Sequence, residues 1–204
     1  MVLRQLMLRG ITDERVLKAF RSVPRDRFIP QGRDIDAYQD HPIPIGLGQT
    51  TSQPYIIARM LELATIHAAD RVLEVGTGSG YQTALLAELA SQVFSIERFA
   101  ELASRAEAIL GEIGYNNVHV TVGDGSCGWE EWAPFDAVVV SAAAPWVPPP
   151  LKEQLAADGR LVLPVGGTFM QNLVRIVRHE SEFREELHEG CTFVPLVGEH
   201  GHAR

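Results

Sequence analysis

A glycine-rich segment at residues 74–80, EVGTGSG, has the residue types and spacing of a ligand-binding turn. Gly76, Gly78 and Gly80 let the backbone turn tightly and bring its N–H groups close to a ligand. The spacing differs from the G-x-G-x-x-G of dinucleotide sites, and no lysine completes a P-loop. A carboxylate at Glu74 would repel a pyrophosphate but attract a ligand that carries a sulfonium and an ammonium group. The segment therefore favours S-adenosylmethionine over a cofactor that carries phosphate.

Two more carboxylates, Glu97 and Asp124, stand where predicted strands end. A carboxylate about 20 residues after the glycine turn can accept hydrogen bonds from both ribose hydroxyls of a ligand. Asp124, flanked by Gly123 and Gly125, could accept a hydrogen bond from an adenine amino group. A lone G-x-G-x-G also occurs in tight turns that bind nothing, so the prediction depends on all three acidic positions together.

The elements that must position these residues alternate between strand and helix. Predicted strands are at 71–75, 93–96, 118–122, 135–140 and 160–165, and predicted helices are at 81–90, 100–113 and 151–156. This alternation predicts a parallel sheet with helices on both faces. Two later strands, at 173–177 and 192–197, are expected to form an antiparallel edge.

The first 65 residues have a different pattern. Apolar residues at helical spacing predict two short helices before Pro24, the second capped by Thr12 or Asp13. The many prolines and glycines between 24 and 54 exclude long helices, and a helix at 55–63 follows. We therefore predict a single Rossmann-like α/β domain over 1–204. It consists of a helical extension at 1–65 and a doubly wound, mostly parallel cofactor-binding core at 70–204.

Composition narrows the classes of function. The chain has 204 residues, 46% hydrophobic and 22% charged, as in ordinary globular proteins. Its net charge of −8, without a Lys/Arg run, disfavours nucleic-acid binding. No apolar stretch approaches 18 residues and no signal-peptide core is recognisable, so we expect neither membrane insertion nor export. The two cysteines do not make a disulfide framework, which fits a cytoplasmic protein.

We expect no metal site from the sequence. The seven histidines do not fall at metal-ligand spacing with cysteines or carboxylates. His200 and His202 are interpreted as part of a surface tail. Cys127 is interpreted as an inert small residue, because no neighbouring histidine or cation in the sequence would lower the pKa of its thiol.

Segments outside the glycine turn resemble the protein-L-isoaspartate (D-aspartate) O-methyltransferase family. The resemblance runs from about residue 20 to about residue 197. The segments that carry it are VPRDRFIP at 23–30, AYQD at 37–40, PIPIG at 42–46, GQTTSQP at 48–54, APFD at 133–136, AAAP at 142–145, LVLPVG at 161–166 and FVPL at 193–196. GQTTSQP is the most specific, since other methyltransferases do not carry it. Thr51 departs from the family's usual isoleucine, and EHGHAR at 199–204 stands where a Gly-Trp ending is common.

The resemblance implies a class I methyltransferase that moves a methyl group from S-adenosylmethionine to the free α-carboxylate of L-isoaspartyl residues. The products would be S-adenosylhomocysteine and an ester that begins repair through a succinimide. Ser52 matches the family's active-site serine, flanked by Thr51 and Gln53, and Ala143 and Ala144 match the lip over the methyl group. The predicted cofactor-binding residues are Glu74, Gly76, Thr77, Gly78, Gly80, Glu97, Arg98, Asp124 and Gly125. Damaged proteins and peptides are the implied partners, and we expect a monomer.

The chemistry is compatible with a serine that is not a nucleophile. A carboxylate is already ionised at pH 7 and needs no general base, so Ser52 would only hold and orient it. A serine just before a predicted helix is also a common N-cap. The alternative is a methyltransferase for a small molecule. A nucleic-acid methyltransferase would usually show an Asn/Asp-Pro-Pro-Tyr-like motif where this chain has SAAAP at 141–145, and a non-catalytic relative would not keep GQTTSQP.

Overall fold

The described part of residues 1–64 contains short helices and a hairpin. The computed structural model of the chain describes residues 1–32, 36–167 and 169–203. Two helical turns, Val2–Leu6 and Met7–Arg9, precede helix α1, Glu14–Ser22. The Asp13 side chain accepts a hydrogen bond from the Arg15 N–H at 2.9 Å and so caps α1, as the sequence predicts.

A β-hairpin occupies part of the proline- and glycine-rich stretch that the sequence predicts as irregular. Strand β1, Ile43–Gly46, pairs antiparallel with β2, Gln49–Thr51. Leu47 and Gly48, with φ of 52° and 71°, form its two-residue turn, and the positive φ values match the twist of the strands. The hairpin delivers the chain to helix α2, Pro54–Ala64, whose N-cap is Gln53 and not Ser52. Ser52 therefore does not cap α2.

Seven strands form the central sheet, and their order places the glycine turn at its centre. The strands are β3 Arg71–Val75, β4 Gln92–Glu97, β5 Val118–Val122, β6 Phe135–Val140, β7 Leu155–Gly166, β8 Gln171–His179 and β9 Glu182–Cys191. The order is β5-β4-β3-β6-β7-β8-β9, with parallel pairing from β5 to β7 and antiparallel pairing beyond. The predicted class I architecture, including the antiparallel edge, is confirmed.

Three helices connect the parallel strands: α3 Tyr81–Leu89, α4 Ala100–Ile113 and α5 Pro149–Glu153. The predicted helix at 151–156 is wrong at its end, because residues 155 and 156 already belong to β7. The buried side chains of β3 alternate between two apolar clusters, Val72 in one and Leu73 in the other, so both faces of the sheet are covered. Among the described residues, no helix is both long and apolar enough to cross a membrane.

The predicted strand at 192–197 is wrong. The second strand of the antiparallel edge is β9, which ends at Cys191, and the segment after it leaves the sheet. That segment instead docks on the end of β6: the Ala143 N–H donates to the Val194 carbonyl at 2.8 Å, and the Leu196 N–H donates to the Ala143 carbonyl at 2.7 Å. Its apolar residues are therefore explained by this docking and not by a strand ladder.

Candidate active site

The glycine turn lies at the point where the strand order reverses. β3 is flanked by β4 and β6, and the connections leave the sheet in opposite directions on either side of it. Open α/β sheets bind ligands in the crevice outside the strand ends at such a point. The Gly76 N–H donates to the Ile96 carbonyl at 2.8 Å, and its φ of 96° is one that residues with a side chain rarely adopt. The turn is thus fixed to the neighbouring strand by its backbone.

A cleft of about 760 Å³, measured to its open mouth, lies above this turn, and we call it the glycine-loop cleft. The lining residues come from the hairpin, α2, the glycine turn, α3, the ends of β4 and β6, the loop after β5 and the segment after β9. They are Gln49, Thr50, Thr51, Ser52, Ile57, Val75, Gly76, Thr77, Gly78, Ser79, Gln82, Ile96, Glu97, Arg98, Gly125, Ser141, Ala142, Val194, Pro195, Leu196 and Val197.

Most of the predicted cofactor-binding residues are brought together in this cleft. Those that line it are Gly76, Thr77, Gly78, Glu97, Arg98 and Gly125. The remaining three, Glu74, Gly80 and Asp124, lie behind or beside it. Gln82, Ser141 and the segment 194–197 line it although the sequence does not single them out as ligand residues. Only spatial proximity connects the segment 194–197 to the glycine turn, so spacing along the chain gives no signal for it.

Glu74 does not present its charge to the glycine-loop cleft, in contrast to the sequence-based expectation. Its side chain is fully buried and accepts hydrogen bonds from Gln82 Nε2 at 3.1 Å, Thr83 Oγ1 at 2.5 Å and Ser95 Oγ at 2.6 Å. Burial raises the pKa of Glu74 to about 7. Gln82 also donates to Ser141 Oγ at 2.7 Å, so Glu74 acts on the cleft through Gln82 and Ser141.

Glu97 reaches the glycine-loop cleft and also fixes its wall. Its Oε2 accepts from the Gly78 N–H at 2.9 Å, and its Oε1 accepts from the Phe99 N–H at 3.0 Å. The residue is almost fully buried, yet it lines the cleft. Because each carboxylate oxygen can accept a second hydrogen bond, Glu97 can still receive hydroxyl groups from a ligand.

Asp124 lies beside the glycine-loop cleft and under residues 198–203, which we call the C-terminal tail. Its carboxylate accepts from the Ser126 N–H at 2.9 Å, from Ser126 Oγ at 2.6 Å and from the Glu199 N–H at 2.7 Å. Burial alone would raise the pKa of Asp124, but the hydrogen bonds from Ser126 and Glu199 outweigh it and lower the pKa. Gly198 permits this contact, because a Cβ at that position would overlap the Asp124 carboxylate.

A second cleft, of about 1110 Å³, adjoins the first, and we call it the hairpin cleft. It is lined by Arg9, Pro42, Gln53, Tyr55, Ile56 and the residues from Glu189 to Phe193. Four residues line both clefts: Thr50, Ser52, Ser141 and Val194. Ser52 therefore stands on the border between two spaces, one above the glycine turn and the other open to the hairpin.

Two sets of partly buried hydrogen bonds hold the segment around Ser52. The Arg25 guanidinium donates to the Ser52 carbonyl from Nη1 at 3.2 Å and from Nη2 at 3.1 Å, and it lies 4.9 Å from the centre of the Tyr81 ring. Asp40 accepts from Gln53 Nε2 at 2.7 Å and from the Tyr55 N–H at 3.0 Å. The segments VPRDRFIP and AYQD thus hold the Ser52 backbone and the residues that follow it, Gln53 and Tyr55.

Arg25 is a residue that the sequence does not mark as functional. It is fully buried, and its Nε has no hydrogen-bond partner among the described residues. Burial lowers the pKa of Arg25, while the charge of Asp40 opposes this shift. Its two hydrogen bonds to the Ser52 carbonyl connect this buried cation to the site. Its position after Val23 and Pro24 looks like a helix end, and nothing in the spacing connects it to Ser52.

The predicted lip residues Ala143 and Ala144 line neither cleft. Ala143 is paired with the segment 194–196, and the Ala144 N–H donates to the Pro164 carbonyl at 3.0 Å. Both are buried in these backbone pairs. Ser141 and Ala142, directly after β6, line the glycine-loop cleft in their place. Of the predicted loop 142–145, only Ala142 therefore lines the cleft, together with the preceding Ser141.

Comparisons with known proteins agree with this geometry. A family model described as Protein-L-isoaspartate(D-aspartate) O-methyltransferase matches residues 1–201. A protein-L-isoaspartate O-methyltransferase of Syntrophus aciditrophicus is 52% identical over 204 residues, covering 98% of this chain and 94% of that protein. A solved Plasmodium falciparum structure, a putative protein-L-isoaspartate O-methyltransferase in complex with S-adenosyl-L-homocysteine, has a TM-score of 0.83 at 25% identity over 96% of each chain. Another protein-L-isoaspartate O-methyltransferase structure has a TM-score of 0.86 at 25% identity, and the match covers 96% of this chain but 64% of that one.

Proposed function

The chain belongs to the protein-L-isoaspartate(D-aspartate) O-methyltransferase family, and we propose that Ser52 presents the isoaspartyl carboxylate of a damaged protein to S-adenosylmethionine. The enzyme uses S-adenosylmethionine as its cofactor and methylates isoaspartyl residues. The observation that carries the proposed role is the position of Ser52 on the border of the two clefts. A methyl group that passes from one cleft to the other must cross this border.

The glycine-loop cleft fits the cofactor. Glu97 offers acceptors for hydroxyl groups, Ile96 offers an apolar contact, and the Gly76 and Gly78 backbone permits close approach. S-adenosylmethionine supplies an electrophilic methyl group on a positively charged sulfur. The residues proposed to contact it are Gly76, Thr77, Gly78, Glu97, Arg98 and Gly125. Asp124 holds the backbone of Ser126 and Glu199, and Glu74 holds the side chains of Gln82, Thr83 and Ser95.

The hairpin cleft fits a peptide that carries the carboxylate. Its walls include Thr50 from the hairpin, Gln53 from the segment after it, and the backbone at the end of β9 and beyond, so it offers main-chain groups to a substrate of varied sequence. The Ser52 hydroxyl can donate one hydrogen bond to one oxygen of the substrate carboxylate. This bond aims the other carboxylate oxygen at the methyl carbon. Because the carboxylate is ionised at neutral pH, the protein has no proton to remove, and orientation is its main contribution.

The proposal includes the expectations of a monomeric, cytoplasmic enzyme that does not bind nucleic acid. The net charge of −8 supports the last of these. Both cysteines, Cys127 and Cys191, are free, in agreement with a reducing compartment.

A labelled-methyl assay on Ser52→Ala tests the role. We expect this variant to bind S-adenosylhomocysteine with an unchanged Kd and to methylate an isoaspartyl peptide about 100-fold or more slowly, as when one positioned donor is lost. The normal aspartyl twin of the peptide should remain unlabelled by the wild type.

Ser181→Ala is the matched control, because Ser181 is exposed in the turn between β8 and β9. Wild-type turnover by Ser52→Ala would contradict the role of the serine. Absence of labelling of both peptides by the wild type would instead favour a small-molecule substrate.

A further inference from the structure

Three side chains with metal-binding atoms meet where the C-terminal tail returns to the loop after β5. The Cys127 Sγ lies 3.9 Å from a carboxylate oxygen of Glu199, and the His200 Nε2 lies 3.9 Å from the other. The ligand atoms of all three residues lie within 4.8 Å of one another. The sequence gives no sign of this cluster, because Cys127 and His200 are far apart along the chain and the tail returns only in the fold.

The spacing of these atoms is close to that of a tetrahedral metal site. Zinc bonds of about 2.0–2.3 Å to oxygen, nitrogen and sulfur place the ligand atoms of a tetrahedral site about 3.3–3.6 Å apart. The two 3.9 Å separations must shorten by a few tenths of an ångström, and the separation between the Cys127 and His200 ligand atoms, at most 4.8 Å, must close to the same range. The side chains of Glu199 and His200 are 75% and 32% exposed, so they can adjust and a cation can enter from solvent.

The tail is already held in place at this point by its backbone. The Glu199 N–H donates to Asp124 Oδ2 at 2.7 Å, and the His200 N–H donates to Ser126 Oγ at 3.0 Å. A preformed backbone lowers the entropic cost of bringing the three ligands to one ion. The carboxylates of Asp124 and Glu199 also make the cluster anionic, which attracts a divalent cation.

We propose that Cys127, Glu199 and His200 form a site for a zinc-like divalent cation that fastens the C-terminal tail to the loop after β5. A thiolate, an imidazole and a carboxylate suit zinc or cobalt better than magnesium or calcium, which prefer oxygen ligands alone. Binding replaces the Cys127 S–H bond with a sulfur–metal bond and releases one proton to solvent. A water molecule completes the fourth position.

The site joins two segments that line the glycine-loop cleft. Gly125 lies two residues before Cys127, and Val197 lies two residues before Glu199. A cation at the cluster therefore links two segments of the wall of the glycine-loop cleft and slows the release of bound S-adenosylhomocysteine. This inference goes beyond the methylation reaction and does not depend on the role of Ser52.

Titration with Co²⁺ in a thiol-free buffer tests the site directly. We expect one Co²⁺ per chain with a thiolate-to-cobalt absorption band, which Cys127→Ser should abolish. His200→Gln should weaken Co²⁺ binding about tenfold or more. Cys191→Ser and His179→Gln are the matched controls, since both residues lie away from the cluster, and their titrations should equal that of the wild type.

Failure of the wild type to show the band, or a band that survives in Cys127→Ser, would overturn the site. A second measurement follows the dissociation of S-adenosylhomocysteine with and without Zn²⁺. We expect Zn²⁺ to slow dissociation about tenfold in the wild type but not in Cys127→Ser. A rate that is unaffected by the bound ion would overturn the fastening of the tail. Neither measurement requires methyl transfer, so its failure is distinct from a failure of the Ser52 proposal.

Discussion

The two carboxylates Glu97 and Glu74 have different roles near the glycine turn, because their side chains point in different directions. Glu97 faces the glycine-loop cleft while it accepts from the Gly78 N–H. Glu74 is two positions before Gly76 but points away from the cleft, into a group of buried donors. The sequence predicts that both residues belong to the site, because both stand at strand ends. It does not predict their orientation, which is set by packing against α3 and β4.

The buried Glu74 should make stability depend on pH. Its pKa is about 7 in the folded protein against 4.5 in the unfolded chain, so between these values the folded state holds a proton that the unfolded state has released. Below pH 4.5 Glu74 therefore contributes about 3 kcal/mol to the free energy of unfolding. This contribution is lost as the pH rises to about 7. In Glu74→Gln this loss should be absent, which urea unfolding at several pH values measures.

Glu107→Gln is the control for the Glu74 prediction, because Glu107 is exposed on α4. The free energies of unfolding of Glu107→Gln and the wild type should differ by the same amount at every pH. A pH-independent difference for Glu74→Gln as well would mean that Glu74 is ionised in the folded protein throughout this range.

At the scale of elements, predictions succeed where the chain has one strong local pattern. The strands at 71–75 and 135–140 are rich in apolar residues, and Gly114 follows the last residue of α4, so their bounds are predicted correctly. β9 is missed because it carries charged residues at the edge of the sheet and lacks a continuous apolar run. The hairpin is missed because Pro44 interrupts an otherwise apolar strand. What the sequence cannot supply is which distant segments the elements bring together at the clefts.

The short 3-10 turn Arg25–Phe28 should determine the position of Ser52, because its Arg25 side chain binds the Ser52 carbonyl. Arg25→Lys removes one of the two hydrogen bonds to the Ser52 carbonyl, because a single ammonium cannot reproduce the planar fork. A displaced Ser52 should lower kcat about 10- to 100-fold. The Kd for S-adenosylhomocysteine should not change, because Arg25 does not line the glycine-loop cleft.

Arg27→Lys is the matched control on the same turn, since Arg27 pairs with exposed Glu112 at 2.9 Å. Its kcat should equal that of the wild type. A wild-type kcat in Arg25→Lys, or an equal loss of cofactor affinity, would show that Arg25 does not act through Ser52.

The whole molecule combines the N-terminal extension with the methyltransferase core in one packed interior. Leu17 and Phe20 of α1 belong to the same apolar cluster as Val72 and Val162 of the sheet. Phe20 also contacts Tyr81 at the start of α3, with ring centres 6.0 Å apart. The extension therefore supports the wall beneath Ser52, and we expect it to unfold together with the core.

Cooperative unfolding tests this single-domain organisation. The Leu17 side chain is 1% exposed, so Leu17→Ala should lower the free energy of unfolding by about 2–5 kcal/mol through lost packing. Leu8→Ala is the control: Leu8 is 75% exposed, and its truncation should change stability by less than about 0.5 kcal/mol. Near- and far-ultraviolet circular dichroism should report one coincident transition, shifted as a whole by Leu17→Ala. Two transitions, of which Leu17→Ala moves only one, would mean that the extension is a separate folding unit, and Ser52 would then lie at the junction between two units instead of within one.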